Sequence, residues 1–460
     1  MNKKKIAIIG SGPGGYTCAL KLNKLGHDVF LIEKNKLGGT CLNVGCIPTK
    51  TLLDQLSIYE SFLDAKKKNI FSAENININS LGLIQFQNTI ISQLSQGINS
   101  LFKKQGIELI SGIAKFKDEK TLIINDENEL SFDEIIIATG SKPKSIPGFK
   151  FDGKSILSSD DVWNIPSIPQ KLLVIGSGPI GIEFARVFYH LGSAVTIVEI
   201  QDSICPILDI EISENLERSL KRRKIKILKS YATKLIDISN SKVKVEFLST
   251  KEDKNMTEEF DQILIATGRE PNIKELCLEK AGVEIDAGFI RVDRYLKTSK
   301  NNIWAIGDVT NFPQLAHTAS TQGKIVAENI NLGKMEFDHK NIPGCIYGYP
   351  EVSFVGYTEE ELKKNNIKYK VGRSLYLANG KAKASGHTEG LVKVLIDDYS
   401  EEILGAHIIG AESPSIIHEF VVSIKNSLTV EDMISSIHAH PTYSEIALEA
   451  LENSIGEGLH

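Results

Sequence analysis

A 29-residue stretch, KIAIIGSGPGGYTCALKLNKLGHDVFLIE (residues 5–33), recurs without a gap 166 residues later as KLLVIGSGPIGIEFARVFYHLGSAVTIVE (171–199). Each copy reads as a β-branched apolar run, a Gly-x-Gly-x-x-Gly turn, a helical pattern ending at Leu-Gly, a second apolar run and a terminal glutamate. That order is a βαβ unit built to hold a dinucleotide. Gly10 and Gly176 make the tight turn, Gly12 and Gly178 let the backbone approach a pyrophosphate, and Gly15 and Gly181 let the helix pack on the strand. The phosphates then meet a helix N-terminus. Glu33 and Glu199 each lie 21 residues beyond the second glycine, where a carboxylate accepts hydrogen bonds from an adenosine ribose. One such turn is weak support for a nucleotide site. Two, each with the strand before and the acid after, are not explained as tight turns alone. The stretch IQDSICPIL after Glu199 lacks an arginine to receive a 2′-phosphate, so the second site is expected to prefer NAD over NADP.

Three further apolar runs end in glycine turns: IIIATG (135–140), ILIATG (263–268) and IWAIGD (303–308). They read as buried strands whose ends line the ligand crevice of such sheets. Asp308 reads either as a cofactor-binding carboxylate or as a turn-forming aspartate, and composition alone favours the turn.

At 460 residues and 42% apolar content, the chain exceeds one hydrophobic core and predicts two to four domains. A net charge of −5 argues against a nucleic-acid surface, and the lysines at 3–5 and 66–68 read as solvated faces. The apolar run after MNKKK is four residues long, and no stretch approaches a membrane span, so a soluble, cytoplasmic protein is expected.

In a reducing compartment, a close cysteine pair is redox-active, metal-binding or accidental. GGTCLNVGCIPTK (38–50) holds such a pair, Cys41 and Cys46. In an ideal helix five residues span about 7.5 Å along the axis, beyond the roughly 7 Å Cα limit for a disulfide, so the segment must bend for a bond to form. Gly38, Gly39 and Gly45 supply that freedom, and Pro48 suits only a helix's first turn. An irregular helix start is predicted, and such a position lowers a thiol's pKa. Zinc needs more ligands, and no second cysteine pair exists, so no metal is expected. Cys18, Cys205, Cys277 and Cys345 are scattered and read as structural.

HAHPTYSE (438–445) raises the complementary question. Pro441 pushes His440 out of the helical region, placing it just ahead of a helix. Thr442 and Glu445 have capping-box spacing. Alternatively, Glu445 orients the His440 ring as a carboxylate does beside a catalytic base, and spacing leaves both readings open.

These segments, with ATGREPN, AIGDV, LAH, YPEVSFVGYTEEEL, LANGKAKA and ILGAHIIG, resemble the dihydrolipoamide dehydrogenase branch of the pyridine nucleotide-disulfide oxidoreductase family nearly end to end. The resemblance implies an α/β fold with two Rossmann-like FAD- and NAD-binding domains and a C-terminal α+β dimerisation domain. It implies FAD on the first fingerprint with Glu33, Ala114, Thr139, Gly140, Asp308 and Ala316, and NAD on the second with Glu199 and Gly268. Lys50 is implied beside the flavin and paired with Glu183, although residue type alone makes them a solvated lysine and a helix-surface glutamate. By the same resemblance Cys41 exchanges with substrate, Cys46 faces the flavin, and His440 with Glu445 serves as base from the other subunit of a homodimer. The implied activity is oxidation of protein-bound dihydrolipoyl groups by NAD⁺, in 2-oxoacid dehydrogenase or glycine-cleavage complexes. The implied partners are lipoyl domains and an acyltransferase core, with no nucleic acid and no membrane.

The expected domains are FAD-binding (1–142), NAD-binding (143–270), central and completing the FAD site (271–340), and interface (341–460). Two alternatives stand beside this one: another disulfide reductase of the family with a glutathione-like substrate, and a non-catalytic dinucleotide-binding scaffold subunit. Departures from the family pattern fall at Gly348 and Tyr349 and at Gly380 and Lys381, none of them an implied catalytic position.

Overall fold

Strand Lys5–Ile9 is buried from Ile6 to Ile9 because its parallel sheet is covered: helix Pro13–Lys24 packs against it, and Ala7 and Ile9 share an apolar cluster with Ala114, Phe116, Leu122 and Ile124 of a small antiparallel sheet. The computed structural model describes residues 3–72, 74, 76–239, 242–331 and 333–459. They form two units, Met1–Lys144 with Arg269–His339 and Ser145–Gly268 with Lys340–His460.

In the first unit, five parallel strands lie in the order Ile303–Ala305, Glu134–Ile137, Lys5–Ile9, Asp28–Glu33 and Glu108–Ser111. The edge strand comes from the far segment, so residues after Arg269 return to complete the first sheet. Helix Pro13–Lys24 starts with proline at its first turn, where a missing N–H costs nothing, and buries Gly15, Cys18, Ala19 and Leu22 at helical spacing. Helix Ala316–Asn331 packs on it, and a Cβ at Gly323 would sit 2.5 Å from the Gly14 carbonyl oxygen. Only glycine allows that backbone approach. Burial pushes the Cys18 thiol well above its ordinary range, consistent with an inert, structural residue.

The second unit repeats the plan. Five parallel strands run in the order Lys226–Lys229, Ala194–Glu199, Lys171–Ile175, Gln262–Ile265 and Ile156–Leu157. Its C-terminal part is a five-stranded antiparallel sheet ordered Gly344–Ile346, Val352–Gly356, Ile403–Ile409, Leu391–Asp397 and Tyr369–Leu375, backed by helices Ser413–Lys425 and Glu445–Ser454. Ile182 and Leu216 of the nucleotide-binding part share one apolar cluster with Ile346, Val352 and Ile409. That shared core explains why helix Pro179–His190 is buried on nearly every side from Gly181 to Phe188.

A buried charge cluster spans the same two parts. Lys393 is wholly buried and donates to both oxygens of the equally buried Asp209 (2.9 and 3.0 Å) and to Glu359 (2.6 Å). Lys3 is exposed as its run suggests, but Lys4 and Lys5 are less solvated. Lys4 pairs with Glu134 at 2.7 Å, and Lys5 lies 5.0 and 4.9 Å from the ring centres of Phe30 and Phe132. Among the described residues, no helix is long and apolar enough to cross a membrane.

Candidate active site

The two fingerprints fold alike, atom for atom, at the places that matter. Gly10 donates to the Ile32 carbonyl at 2.8 Å and Gly176 to that of Val198 at 2.9 Å. Their φ values, +105° and +99°, lie where a side chain is strained, and a Cβ there would come 2.3 and 2.6 Å from the carbonyl oxygens of Ala138 and Ala266. A Cβ at Gly15 or Gly181 would meet the carbonyl oxygen of Gly10 or Gly176 at 1.9 or 2.1 Å, which is the helix-on-strand contact. At Gly12 and Gly178 a Cβ would meet nothing within 4 Å. The middle glycine thus faces open space in both copies, which leaves its backbone approachable from that side. Neither following helix has a side-chain cap, so its first-turn amides are left for an anion.

Around the first cradle, Thr139 Oγ1 donates to the Asn272 carbonyl (2.7 Å), and Gly140 follows with φ +67°. Ala114 is buried on its strand, and Ala316 opens helix Ala316–Asn331. Asp308 sits in a single turn at Gly307–Val309, but it is held from elsewhere: Ser141 Oγ donates to its Oδ2 (2.5 Å), and Arg269 Nε donates to Ser141 Oγ (2.7 Å). Nearby, Gln314 Nε2, Thr318 Oγ1 and Gln322 Nε2 are buried with no protein partner. Buried polar atoms are rarely left so, which makes these three candidates for ligand contact. These three residues belong to no sequence motif: Thr318 and Gln322 lie one turn apart on helix Ala316–Asn331, Gln314 stands two residues before it, and only that placement and their burial point to them. At the second cradle, Gly268 follows strand Gln262–Ile265 with φ +120°. Cys205 beside it is buried, its thiol pushed up to about 12 by burial and then by Glu199.

Cys41 and Cys46 are joined as a disulfide, with Cα atoms 4.6 Å apart. The expected bend is a break between two helices, Gly39–Asn43 and Cys46–Lys67, at Val44 and Gly45. A Cβ at Gly39 would lie 2.8 Å from Gly12 Cα, so the disulfide segment packs directly on the first fingerprint loop. Both cysteines are half-buried. Lys50 lies one helical turn beyond Cys46 and is half-buried. Glu183, which residue type alone would put on a helix surface, is 5% exposed and accepts from the Tyr347 amide at 3.1 Å. The sheet on one side of its helix and the 344–352 segment on the other leave no exposed face there.

His440 is exposed, and its Nδ1 lies 2.7 Å from Glu445 Oε1. Glu445 Oε2 accepts from the Thr442 amide, also at 2.7 Å. The orienting reading is therefore realised on one oxygen, while the other holds only the glutamate half of the cap contact. The capping box itself is not formed: Thr442 Oγ1 donates to the Ala439 carbonyl, and the helix starts at Glu445 after Ser444. Burial opposes charge on Glu445, but the Thr442 amide and the His440 ring together hold its carboxyl below the ordinary range. His438 is held by Glu419 and the Ser436 carbonyl, as a structural histidine would be. At the departures, Tyr349 lies with its ring centre 4.1 Å from the Arg223 guanidinium, and Gly380 opens a short helix capped by Asn379.

Residues 4–323 match the family model described as pyridine nucleotide-disulphide oxidoreductase, and residues 342–451 match its dimerisation domain. The chain is 38% identical to "Dihydrolipoyl dehydrogenase 2, mitochondrial" of Arabidopsis thaliana, over 99% of this chain and 91% of that one. It is 36% identical to "Dihydrolipoyl dehydrogenase" of Zymomonas mobilis, over 99% and 98%. Among solved structures it resembles the HOCl-induced flavoprotein disulfide reductase RclA of Escherichia coli, with a TM-score of 0.85, 28% identity, and 97% and 99% of the two chains covered.

Proposed function

This chain belongs to the pyridine nucleotide-disulphide oxidoreductase family, and from that membership we propose that it is an FAD-dependent enzyme oxidising dihydrolipoyl groups with NAD⁺. The observation that carries the proposal is the Cys41–Cys46 disulfide, half-buried and packed through Gly39 on the first dinucleotide cradle.

The residues divide the work as follows. A thiolate, not a thiol, attacks a disulfide, so one thiol of the substrate dithiol must lose its proton, and His440 Nε2 receives it while Glu445 holds Nδ1. The substrate thiolate attacks Cys41, and the Cys41–Cys46 bond breaks with Cys46 leaving as thiolate. The second substrate thiol then closes the substrate disulfide and releases Cys41, leaving the protein with both electrons as a dithiol. When bound, FAD supplies the two-electron link between a thiolate, which gives an electron pair, and nicotinamide, which accepts hydride. Glu33, Ala114, Thr139, Gly140, Asp308 and Ala316 are assigned to FAD, and Glu199 and Gly268 to NAD, with Lys50 and Glu183 as a pair beside the flavin. The dimerisation-domain match supports a homodimer, and in our reading His440 serves Cys41 of the other subunit. The four-part division at about residues 142, 270 and 340, the lipoyl-domain and acyltransferase-core partners and the cytoplasmic location complete the proposal.

The test is anaerobic titration of the purified flavoprotein with dihydrolipoamide. A long-wavelength thiolate-to-flavin absorption band is expected, and it should vanish in Cys46→Ser together with lipoamide turnover. Simple bleaching or no change sinks the dihydrolipoyl reading, and turnover of glutathione disulfide in its place favours the other disulfide reductases.

A further inference from the structure

Between the first two glycines of each fingerprint stands a serine, and both serines do the same thing. Ser11 N and Oγ donate to a single oxygen of Glu33, Oε2, at 2.8 and 2.6 Å. Ser177 N and Oγ donate to Oε2 of Glu199 at 3.0 and 2.6 Å. Each hydroxyl is itself fixed by a loop amide, Gly38 N to Ser11 Oγ at 3.2 Å and Cys205 N to Ser177 Oγ at 2.9 Å. A hydroxyl that accepts there must send its own proton to the carboxylate. Among the described residues the other carboxylate oxygen, Oε1, takes one donor only, the Asn35 amide at 2.8 Å or the Gln201 amide at 3.1 Å. Both serines are wholly buried, and Glu199 is 8% exposed.

A carboxylate has about four lone-pair sites. Three are filled in each copy, two of them on Oε2 by one serine, and the site left open is on Oε1. We infer that Ser11 and Ser177 are positioning residues that lock the ribose-binding glutamates, presenting one oxygen to the adenosine ribose of each dinucleotide. At the second site, the lock also sets specificity. A 2′-phosphate carries about −1.5 to −2 charge, and Ser177 denies Glu199 the freedom to swing away from it. The inference rests on the reading that the second fingerprint holds NAD. It goes beyond that reading by assigning the discrimination to a residue that never touches the ligand.

The test is calorimetric titration of oxidised holoenzyme with NAD⁺, NADP⁺ and an NAD⁺ analogue whose adenosine ribose lacks both hydroxyls. Ser177→Ala should weaken NAD⁺ about tenfold, equivalent to about 1.4 kcal/mol, while leaving the analogue within about twofold and narrowing the NAD⁺-over-NADP⁺ preference. Ser177→Gly should behave alike and serves if the alanine variant does not fold. Ser177→Thr, which keeps the hydroxyl, should restore both affinity and preference. In parallel, Ser11→Ala should release FAD faster on dialysis. General damage to the site would weaken NAD⁺ and the analogue equally; that result, or unchanged NAD⁺ affinity and preference, overturns the inference. If wild-type holoenzyme does not bind NAD⁺, the functional reading falls and takes the inference with it.

Discussion

Two glycines three residues apart, Gly178 and Gly181, should respond in opposite ways to the same substitution. At Gly181 an added Cβ would lie 2.1 Å from the Gly176 carbonyl oxygen and 3.3 Å from Val174 Cγ1. Ordinary contact begins at about 3.4 Å, so helix and strand must part by about 1.3 Å (3.4 − 2.1), with backbone rather than a flexible side chain in the way. Gly181→Ala should therefore cost about 3 kcal/mol, the upper part of the range for overpacking. At Gly178 the added Cβ meets nothing within 4 Å, and φ is −66° with extended ψ, a conformation alanine adopts readily. Gly178→Ala should stabilise the protein by about 0.4–1 kcal/mol through the unfolded chain. Its methyl nevertheless occupies the space through which a pyrophosphate approaches the backbone amides. Losing one charge-assisted hydrogen bond costs about 1.5–3 kcal/mol, so NAD⁺ affinity should fall at least about tenfold. Urea unfolding and NAD⁺ titration of the two variants decide the matter. The reasoning is refuted if Gly178→Ala destabilises as much as Gly181→Ala, or if it binds NAD⁺ as tightly as the parent.

His440→Ala should slow lipoamide reduction about 10²–10⁴-fold, the usual reach of a general base, while sparing NADH oxidation by an artificial acceptor; equal loss of both rejects the assignment. Lys393→Met strands the wholly buried Asp209 without its partner and should cost about 3–5 kcal/mol, whereas Lys370→Met breaks a partly solvated pair with Glu401 and should cost at most about 1 kcal/mol in the same urea titration. Burial opposes charge on Glu359, yet hydrogen bonds from Lys363, Lys393 and Tyr369 hold it down from 4.5 to about 2. Its folded pKa is depressed, so its stabilisation is fully present above pH 4.5 and is lost as pH falls toward about 2. The urea midpoint should drop through that window, and Glu359→Gln should flatten the drop; an unaltered pH profile in that variant contradicts the sign.

Much of the site was legible in the sequence because its constraints are local and steric. A positive φ, a closest approach of helix to strand and an open middle position each demand glycine whatever surrounds them, and the 166-residue repeat states all three twice. The break that lets Cys41 reach Cys46 was likewise announced by Gly45 and Pro48. Other features depend on which distant surfaces meet. Glu183 is buried because a helix of ordinary pattern is covered on both sides, and Asp308 is more than a turn residue because Ser141, 167 residues away, donates to it. The capping box at Thr442 is absent because the helix begins only at Glu445, with Ser444 rather than Thr442 at its cap position.

The sequence by itself determined that two dinucleotide cradles and one closely spaced thiol pair exist, since φ signs and short spacings are properties of a few consecutive residues. Only the tertiary structure decided which carboxylates are clamped, which charges are buried in pairs and which buried polar atoms lack a protein partner. Lys393 and Asp209 stand 184 residues apart, and nothing in either neighbourhood names the other. Burial is a property of what packs on a surface, and the packing partners of a buried polar group are chosen by the whole fold.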